Sequence, residues 1–181
     1  MNLARHSITA TNPVHIYDAR FDADCNIFTV STPAGFAVYR TRPLKLLRKR
    51  GSDHFLLFVR SVGYVDTIQS EITGGTLATV VPLHMSSLLF LIGGGRSPRY
   101  PPNKVILWDE AVGGEVAELE FRERVRGLAC RRGWLAVSLR RRVVVFQIQE
   151  FVTRYGEWDT CDNPRGRCTC SSPIWGYSSL F

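Results

Sequence analysis

Apolar residues along this chain fall into short runs and not at helical spacing. Ile27-Phe28-Thr29-Val30 is followed by Ser31-Thr32-Pro33-Ala34-Gly35 and then by Phe36-Ala37-Val38-Tyr39. Leu88 to Ile92 leads through a loop into Lys104-Val105-Ile106-Leu107-Trp108-Asp109. Trp134 to Leu139 leads through Arg140-Arg141-Arg142 into Val143-Val144-Val145-Phe146. Short β-branched and aromatic runs bounded by Gly, Pro and Asp predict strands joined by turns. The i, i+3, i+4 recurrence of an amphipathic helix is almost absent. The expected class is all-β.

The runs repeat. Each unit is an apolar strand, a turn and a second strand ending on an aromatic: Tyr39, Trp108 or Phe146. A further strand precedes each hairpin, at His15 to Phe21, Thr76 to Leu83 and Val125 to Cys130. Outer strands follow at Glu115 to Phe121 and Phe151 to Trp158. Trp108 and Phe146 lie 38 positions apart, near the roughly 40–45 residues of a propeller blade. Three or four strands per unit, with Trp-Asp at 108–109, predict blades of a WD40-like β-propeller.

One stretch mimics a membrane span. Ile72 to Gly95 carries no formal charge apart from His84. It is diluted by five glycines, Pro82 and five Ser/Thr, and a span needs about 20 predominantly apolar residues. Two buried strands around a turn account for it, so no transmembrane span is expected.

Charge adds a bias, not a function. The net charge is +7, and of 23 basic residues only Lys45, Lys49 and Lys104 are lysine. Such a balance favours anionic partners in general. The first dozen residues lack the apolar core of a secretory signal, so reduced thiols and a cytoplasmic setting are expected. Of the five cysteines, Cys25 and Cys130 sit in apolar runs and read as buried thiols.

The residues now support a resemblance. Gly93 to Glu110, GGGRSPRYPPNKVILWDE, closely resembles the loop and strand of the second blade in the PROPPIN family. Glu118 to Val125, Arg131-Arg132 and Val143 to Phe146 resemble the third blade, and Thr160 to Gly166 the entry to the fourth. Phe21 to Asp24 with Gly35 to Tyr39 fits the first. The resemblance implies an incomplete propeller ring. Blade 1 is expected at 1–50, blade 2 at 71–112, blade 3 at 113–158 and the start of blade 4 at 159–166. Residues 51–70 match nothing in the family and read as an insertion or retained intron. Residues 167–181 depart from it and read as an aberrant tail.

The family implies a non-enzymatic phosphoinositide-effector scaffold of autophagy and vacuolar trafficking. The full-length family binds PI3P and PI(3,5)P2 membranes and autophagy scaffold proteins, peripherally on vacuole, endosome and vesicle membranes. Its lipid motif is a paired-arginine Arg-Arg-Gly between the fifth and sixth blades, and paired guanidiniums suit phosphate because they bind it bidentately. Cys130-Arg131-Arg132-Gly133 looks like that motif but sits in the third-blade hairpin, so Arg131 and Arg132 are read as a decoy.

Other chemistry is sparse. Gly93-Gly94-Gly95 lacks the phosphate-loop pattern and is followed by prolines, not a helix. The loop is basic through Arg96, Arg99 and Lys104, which makes these candidate contacts for a partner. Asp22 and Asp24, in the turn after the first strand, are an acidic candidate, with capping of that turn as the structural alternative. Cys161, Cys168 and Cys170 fall short of a four-ligand zinc pattern. The four histidines form no ligand pair, so no metal or cofactor is expected. No catalytic triad or carboxylate pair is recognisable. The basic runs Lys45–Arg50, Arg122–Arg126 and Arg140–Arg142 leave a basic nucleic-acid-associated β-domain as the alternative. They lack an aromatic platform, so nucleic acid is not the expected partner.

Overall fold

A computed structural model describes residues 15–51, 75–84 and 86–170. They form twelve strands and no helix. The first sheet contains β1 (Asp18–Phe21), β2 (Ile27–Thr32), β3 (Gly35–Arg40) and β4 (Lys45–Gly51). The second contains β5 (Leu77–Pro82), β6 (Leu88–Gly93), β7 (Lys104–Asp109) and β8 (Gly114–Glu120). The third contains β9 (Gly127–Arg131), β10 (Trp134–Ser138), β11 (Arg142–Ile148) and β12 (Val152–Asp159). Each is an antiparallel meander with its strands in sequence order. Three such sheets packed face to face are three blades of an incomplete propeller.

Side-chain alternation decides which blade meets which. In β6, Leu89 and Leu91 pack toward the first blade, while Phe90 and Ile92 pack toward the third. In β7, Ile106 and Trp108 face the first blade, and Val105 and Leu107 the third. Successive strand residues point to opposite faces. A strand buried on both faces must therefore be apolar throughout, which is why Leu88 to Ile92 reads as an unbroken run. The first blade meets the second through Ile27, Phe36 and Val38. Two hydroxyls on that face of β2 reach across: Thr29 Oγ1 donates to the Val80 carbonyl at 2.6 Å and Ser31 Oγ to the Ala78 carbonyl at 3.0 Å.

The three aromatics at the strand ends share one geometry. Between the third and fourth strands of every blade the register slips by one residue, at Val38/Tyr39, Leu107/Trp108 and Val145/Phe146. A bulge bends and twists the strand locally. Here it falls just before the aromatic each time, and leaves Leu47, Val116 and Tyr155 as the extra residues of the outer strands. Trp108 then faces the first blade and Phe146 the second.

A buried ion pair ties the outer edge of the first blade to the second. Arg50 near the end of β4 places Nη2 at 2.6 Å and Nε at 3.0 Å from Glu110 Oε2. The two side chains are only 8% and 5% exposed. Arg50 reaches this position because β4 is held to β3 up to Gly35 and Gly51. Gly35 has φ +141, and a Cβ there would lie 1.9 Å from the Arg50 carbonyl oxygen.

Several sequence expectations need correction. The run Lys45–Arg50 is the fourth strand of the first blade, hidden from the hydropathy pattern by its charges. Gly51 closes that strand opposite Gly35 and does not open an insertion; 52–70 lie outside the described residues. The division between second and third blades falls after Glu120 and not at 112/113, because β8 is hydrogen-bonded to β7. After Asp159 the described residues contain no further strand. Instead, the Thr160 and Asn163 amides donate back to the carbonyls of Arg141 and Arg140. The first residues of the expected tail follow: Asn163 brackets Arg167 through its side chain, and Cys170 Sγ approaches the Ala129 carbonyl. Residues 171–181 lie outside the described part. Cys25 is exposed and not buried, because it occupies the tip of the β1–β2 turn with φ 56°.

Two outcomes follow from this packing. Glu110→Ala removes a buried carboxylate that Arg50 grips through two nitrogens and is expected to cost about 3–5 kcal/mol in urea unfolding. The double change Arg50→Met with Glu110→Leu should cost far less, because both charges leave together. The Cys130 thiol is pushed up to about 12 by burial, so its thiolate fraction at pH 8 is about one in ten thousand. Iodoacetamide followed by peptide mapping should label the exposed Cys25 and Cys161 well before Cys130.

Candidate functional site

The turns joining the first two strands of each blade meet on one rim. They are residues 22–26, 83–87 and 132–133. Among the described residues, each holds one non-glycine residue at positive φ: Cys25 at 56°, His84 at 51° and Arg132 at 46°. Arg132 and Gly133, with φ 46° and 77°, span the two-residue hairpin between β9 and β10, where positive φ at both positions matches strand twist. The shared backbone conformation brings polar side chains of three blades together.

Asp22 caps its own turn: the Ile27 amide donates to Asp22 Oδ1 at 3.0 Å. Asp24 faces outward and meets the other blades. Its Oδ1 lies 3.4 Å from Arg131 Nη2 and its Oδ2 lies 3.7 Å from His84 Nδ1. The Arg132 amide donates to His84 Nε2 at 2.5 Å. First, second and third blades are thus clasped through Asp24, His84 and the Arg131-Arg132 turn.

Asp22, Asp24 and His84 bring their ligand atoms within 4.8 Å of one another, so metal binding has to be weighed. His84 accepts a hydrogen bond at Nε2, which places the ring proton of the neutral imidazole on Nδ1, toward Asp24. A cation on Nδ1 would move that proton to Nε2 and break the bond from Arg132. The Arg131 guanidinium already supplies the positive charge beside Asp24. The arrangement fits a polar clasp better than a metal centre. It also engages Arg131 and Arg132 from within the protein: the Arg131 side chain with Asp24 and the Cys170 carbonyl, the Arg132 backbone with His84.

The other sequence candidates lie on a second surface. Arg99 Nε donates to Tyr100 Oη at 2.7 Å, with its guanidinium 5.2 Å from the Tyr100 ring centre. Tyr100 Oη donates to Glu115 Oε1 at 2.7 Å. Burial, and then the hydrogen bond to Glu115, push the Tyr100 phenol above its ordinary range. Lys104 Nζ is 2.5 Å from Glu118 Oε1 and 3.7 Å from Glu120 Oε2. Arg99 and Lys104 therefore brace the outer strand β8, while Arg96 is exposed at the loop tip. The structure does not bring these three to Asp22 and Asp24.

Beside β8 lies a cleft of about 530 Å³ between the outer parts of the second and third blades. Leu119, Phe121, Leu139, Val144 and Phe146 give it an apolar lining, and Glu118, Glu120, Arg122, Glu123, Arg142, Arg154 and Glu157 add alternating charges. Across part of it Arg142 Nη1 reaches Glu157 Oε1 at 3.0 Å, and Arg154 also pairs with Glu157. Sequence reading missed the cleft and His84. The cleft comes from the splay of two blades, which no local motif encodes. His84 had one available signal, its place in the turn equivalent to Asp22-Ala23-Asp24 and Arg131-Arg132.

No family model matches the chain. Among curated proteins it is 28% identical to SVP1-like protein 2 of Pichia angusta over 160 residues, 88% of this chain and 39% of that protein. It is 29% identical to SVP1-like protein 2 of Schizosaccharomyces pombe, again over 88% of this chain and 38% of the relative. The chain thus spans about two fifths of the length of these relatives. Among solved structures, Kluyveromyces lactis Hsv2 superimposes with a TM-score of 0.58 at 17% identity, covering 81% of this chain and 38% of that one. A complex of KlAtg21 with the coiled-coil of AgAtg16 gives 0.57 at 16% identity, covering 82% and 40%. The resemblance read from the blade motifs is borne out: in sequence the chain is similar to the SVP1-like proteins of the PROPPIN family, and in fold to their β-propellers.

Proposed function

We propose that this chain serves a non-enzymatic scaffold of autophagy and vacuolar or vesicle trafficking, a propeller that holds partner segments without transforming them. The observation that carries this reading is the cleft between the second and third blades. Its apolar lining is flanked by charges of both signs, which suits an amphipathic helix that inserts one face and pairs its flanks. A related propeller, KlAtg21, has been solved with a coiled-coil of AgAtg16, a segment with that chemistry. The proposed setting is the cytoplasm, at the surface of vacuole, endosome or vesicle membranes.

Head-group reading belongs, in this proposal, to other blades of the parent protein. The Arg131 guanidinium is already drawn to Asp24 and the Cys170 carbonyl, while Arg132 gives only its backbone amide to His84, so one fork of the pair is occupied from within the protein. Vesicle flotation tests this. Binding to PI3P vesicles and to phosphatidylserine vesicles of equal charge should be alike, and changing Arg131 and Arg132 to alanine should lower both together. Loss confined to PI3P would assign the head-group site to these residues.

Calorimetry with an Atg16-type coiled-coil tests the cleft. Arg142→Gln with Arg154→Gln should weaken binding about tenfold, as expected for charged contacts beside an apolar anchor, with circular dichroism showing the chain still folded. Equal binding by wild type and variant, or none by wild type at about 100 μM, a free energy near −5.5 kcal/mol, would remove the cleft from the proposal.

A further inference from the structure

Three segments pack together on the rim of the third blade, on the side away from the Arg132–Gly133 hairpin. They are the link into β9, the β10–β11 turn and the stretch after β12. The Arg126 amide donates to the Ser138 carbonyl, the Asn163 amide to the Arg140 carbonyl and the Thr160 amide to the Arg141 carbonyl. Gly127 lets the last segment lie directly against β9, since a Cβ there would sit 2.0 Å from the Gly166 carbonyl oxygen. The packing brings the charges of Arg126, Arg140 and Arg141 onto the carboxylate of Asp162, with the Arg140 amide on Glu123, and Arg124, Arg165 and Arg167 are carried by the same segments. Besides Arg122 of the cleft, these segments carry six arginines against Glu123 and Asp162, in a chain whose whole net charge is +7.

The rim already grips one carboxylate. Arg140 Nε lies 2.8 Å from Asp162 Oδ1 and Nη2 3.5 Å from Oδ2, while Arg141 Nε is 3.8 Å from Oδ1. The hydrogen bond from Arg140, with the charges of Arg140, Arg141 and Arg126, holds the Asp162 carboxyl below its ordinary range. One carboxylate shared by three arginines leaves positive charge over. Arg126 Nε is moreover buried with no hydrogen-bond partner among the described residues, a donor still lacking its acceptor.

We infer that this rim is a docking surface for an acidic peptide segment of a partner protein, with Asp162 holding the place of one of its carboxylates in the free chain. Arginine clusters recognise acidic motifs through paired hydrogen bonds. The interspersed Glu123 and Asp162 oppose a continuous phosphate lattice. These features favour a peptide over a duplex or a lipid surface. The site is distinct from the cleft proposed above and stands or falls separately.

Fluorescence polarisation of the full chain with a labelled oligoglutamate peptide tests it. Binding should weaken with added salt. Arg140→Gln with Arg141→Gln should reduce affinity about tenfold or more, while the equal charge change Arg42→Gln with Lys45→Gln on the first blade should change it less than about twofold. Asp162→Asn keeps the side-chain shape and removes the competing carboxylate, so affinity should rise several-fold. That gain cannot come from misfolding. Equal loss in both double variants would reduce the effect to net charge, and unchanged or weaker binding by Asp162→Asn would overturn the placeholder role. Tighter binding of a DNA duplex or of phosphatidylserine vesicles than of the peptide would overturn the choice of partner.

Discussion

Phe90 and Leu91 are neighbours in the chain and point to opposite sides of one sheet, one into the third blade and one toward the first. Neither face of the second blade meets water over its middle strands, so the other two blades are fixed in place by a single layer. Seven of the eleven most fully buried large side chains belong to this sheet: Leu77, Val80, Leu89, Phe90, Leu91, Val105 and Ile106. Full burial of each such side chain contributes about 1.5–3 kcal/mol. The inter-blade polar contacts are of another kind. They orient blades that the apolar layer has already brought together.

Those contacts sort by radius and burial. On the blade faces, Thr29 and Ser31 spend their hydroxyls on β5 carbonyls, which satisfies groups that would otherwise cost about 1–3 kcal/mol each to bury unpaired. At the outer edge the Arg50–Glu110 fork is nearly dry, so it demands that both partners be present. On the turn rim, Asp24, His84 and Arg131 are between a fifth and two fifths exposed. Solvent screens them, and their worth lies more in geometry than in energy. The clasp therefore sets where the three turns stand relative to each other, which is what a surface offered to a partner requires.

Much of this was legible in the sequence. The runs around Tyr39, Trp108 and Phe146 announced the strand pairs, because inner strands buried on both faces are mostly apolar, the hydroxyls of β2 aside. The bulge before each aromatic was not legible, since a one-residue slip leaves no mark in hydropathy. β4 was missed for the opposite reason. Lys45, Arg48, Lys49 and Arg50 read as a solvated charge run, yet Arg50 turns inward to a carboxylate 60 positions away. Asp22 and Asp24 were found as a pair and prove to divide their work, one capping the turn and the other reaching across blades. Their partner His84 was passed over because its neighbours in sequence carry no chemistry.

The near-exclusion of lysine from the basic residues fits this division of labour. Arg50 holds Glu110 through two nitrogens at once, Arg140 grips Asp162 through two, and Arg99 bonds the Tyr100 hydroxyl while lying over its ring. Each task uses the planar fork of guanidinium, and a lysine ammonium, a single strongly hydrated point charge, would perform none of them in the same geometry. Lys104 marks the contrast: it reaches two separate carboxylates of β8, Glu118 and Glu120, from one nitrogen. A surface built from arginine in this way keeps its charges oriented, and where the forks outnumber the carboxylates, as around Asp162, what remains is directed donor capacity and not a diffuse positive field.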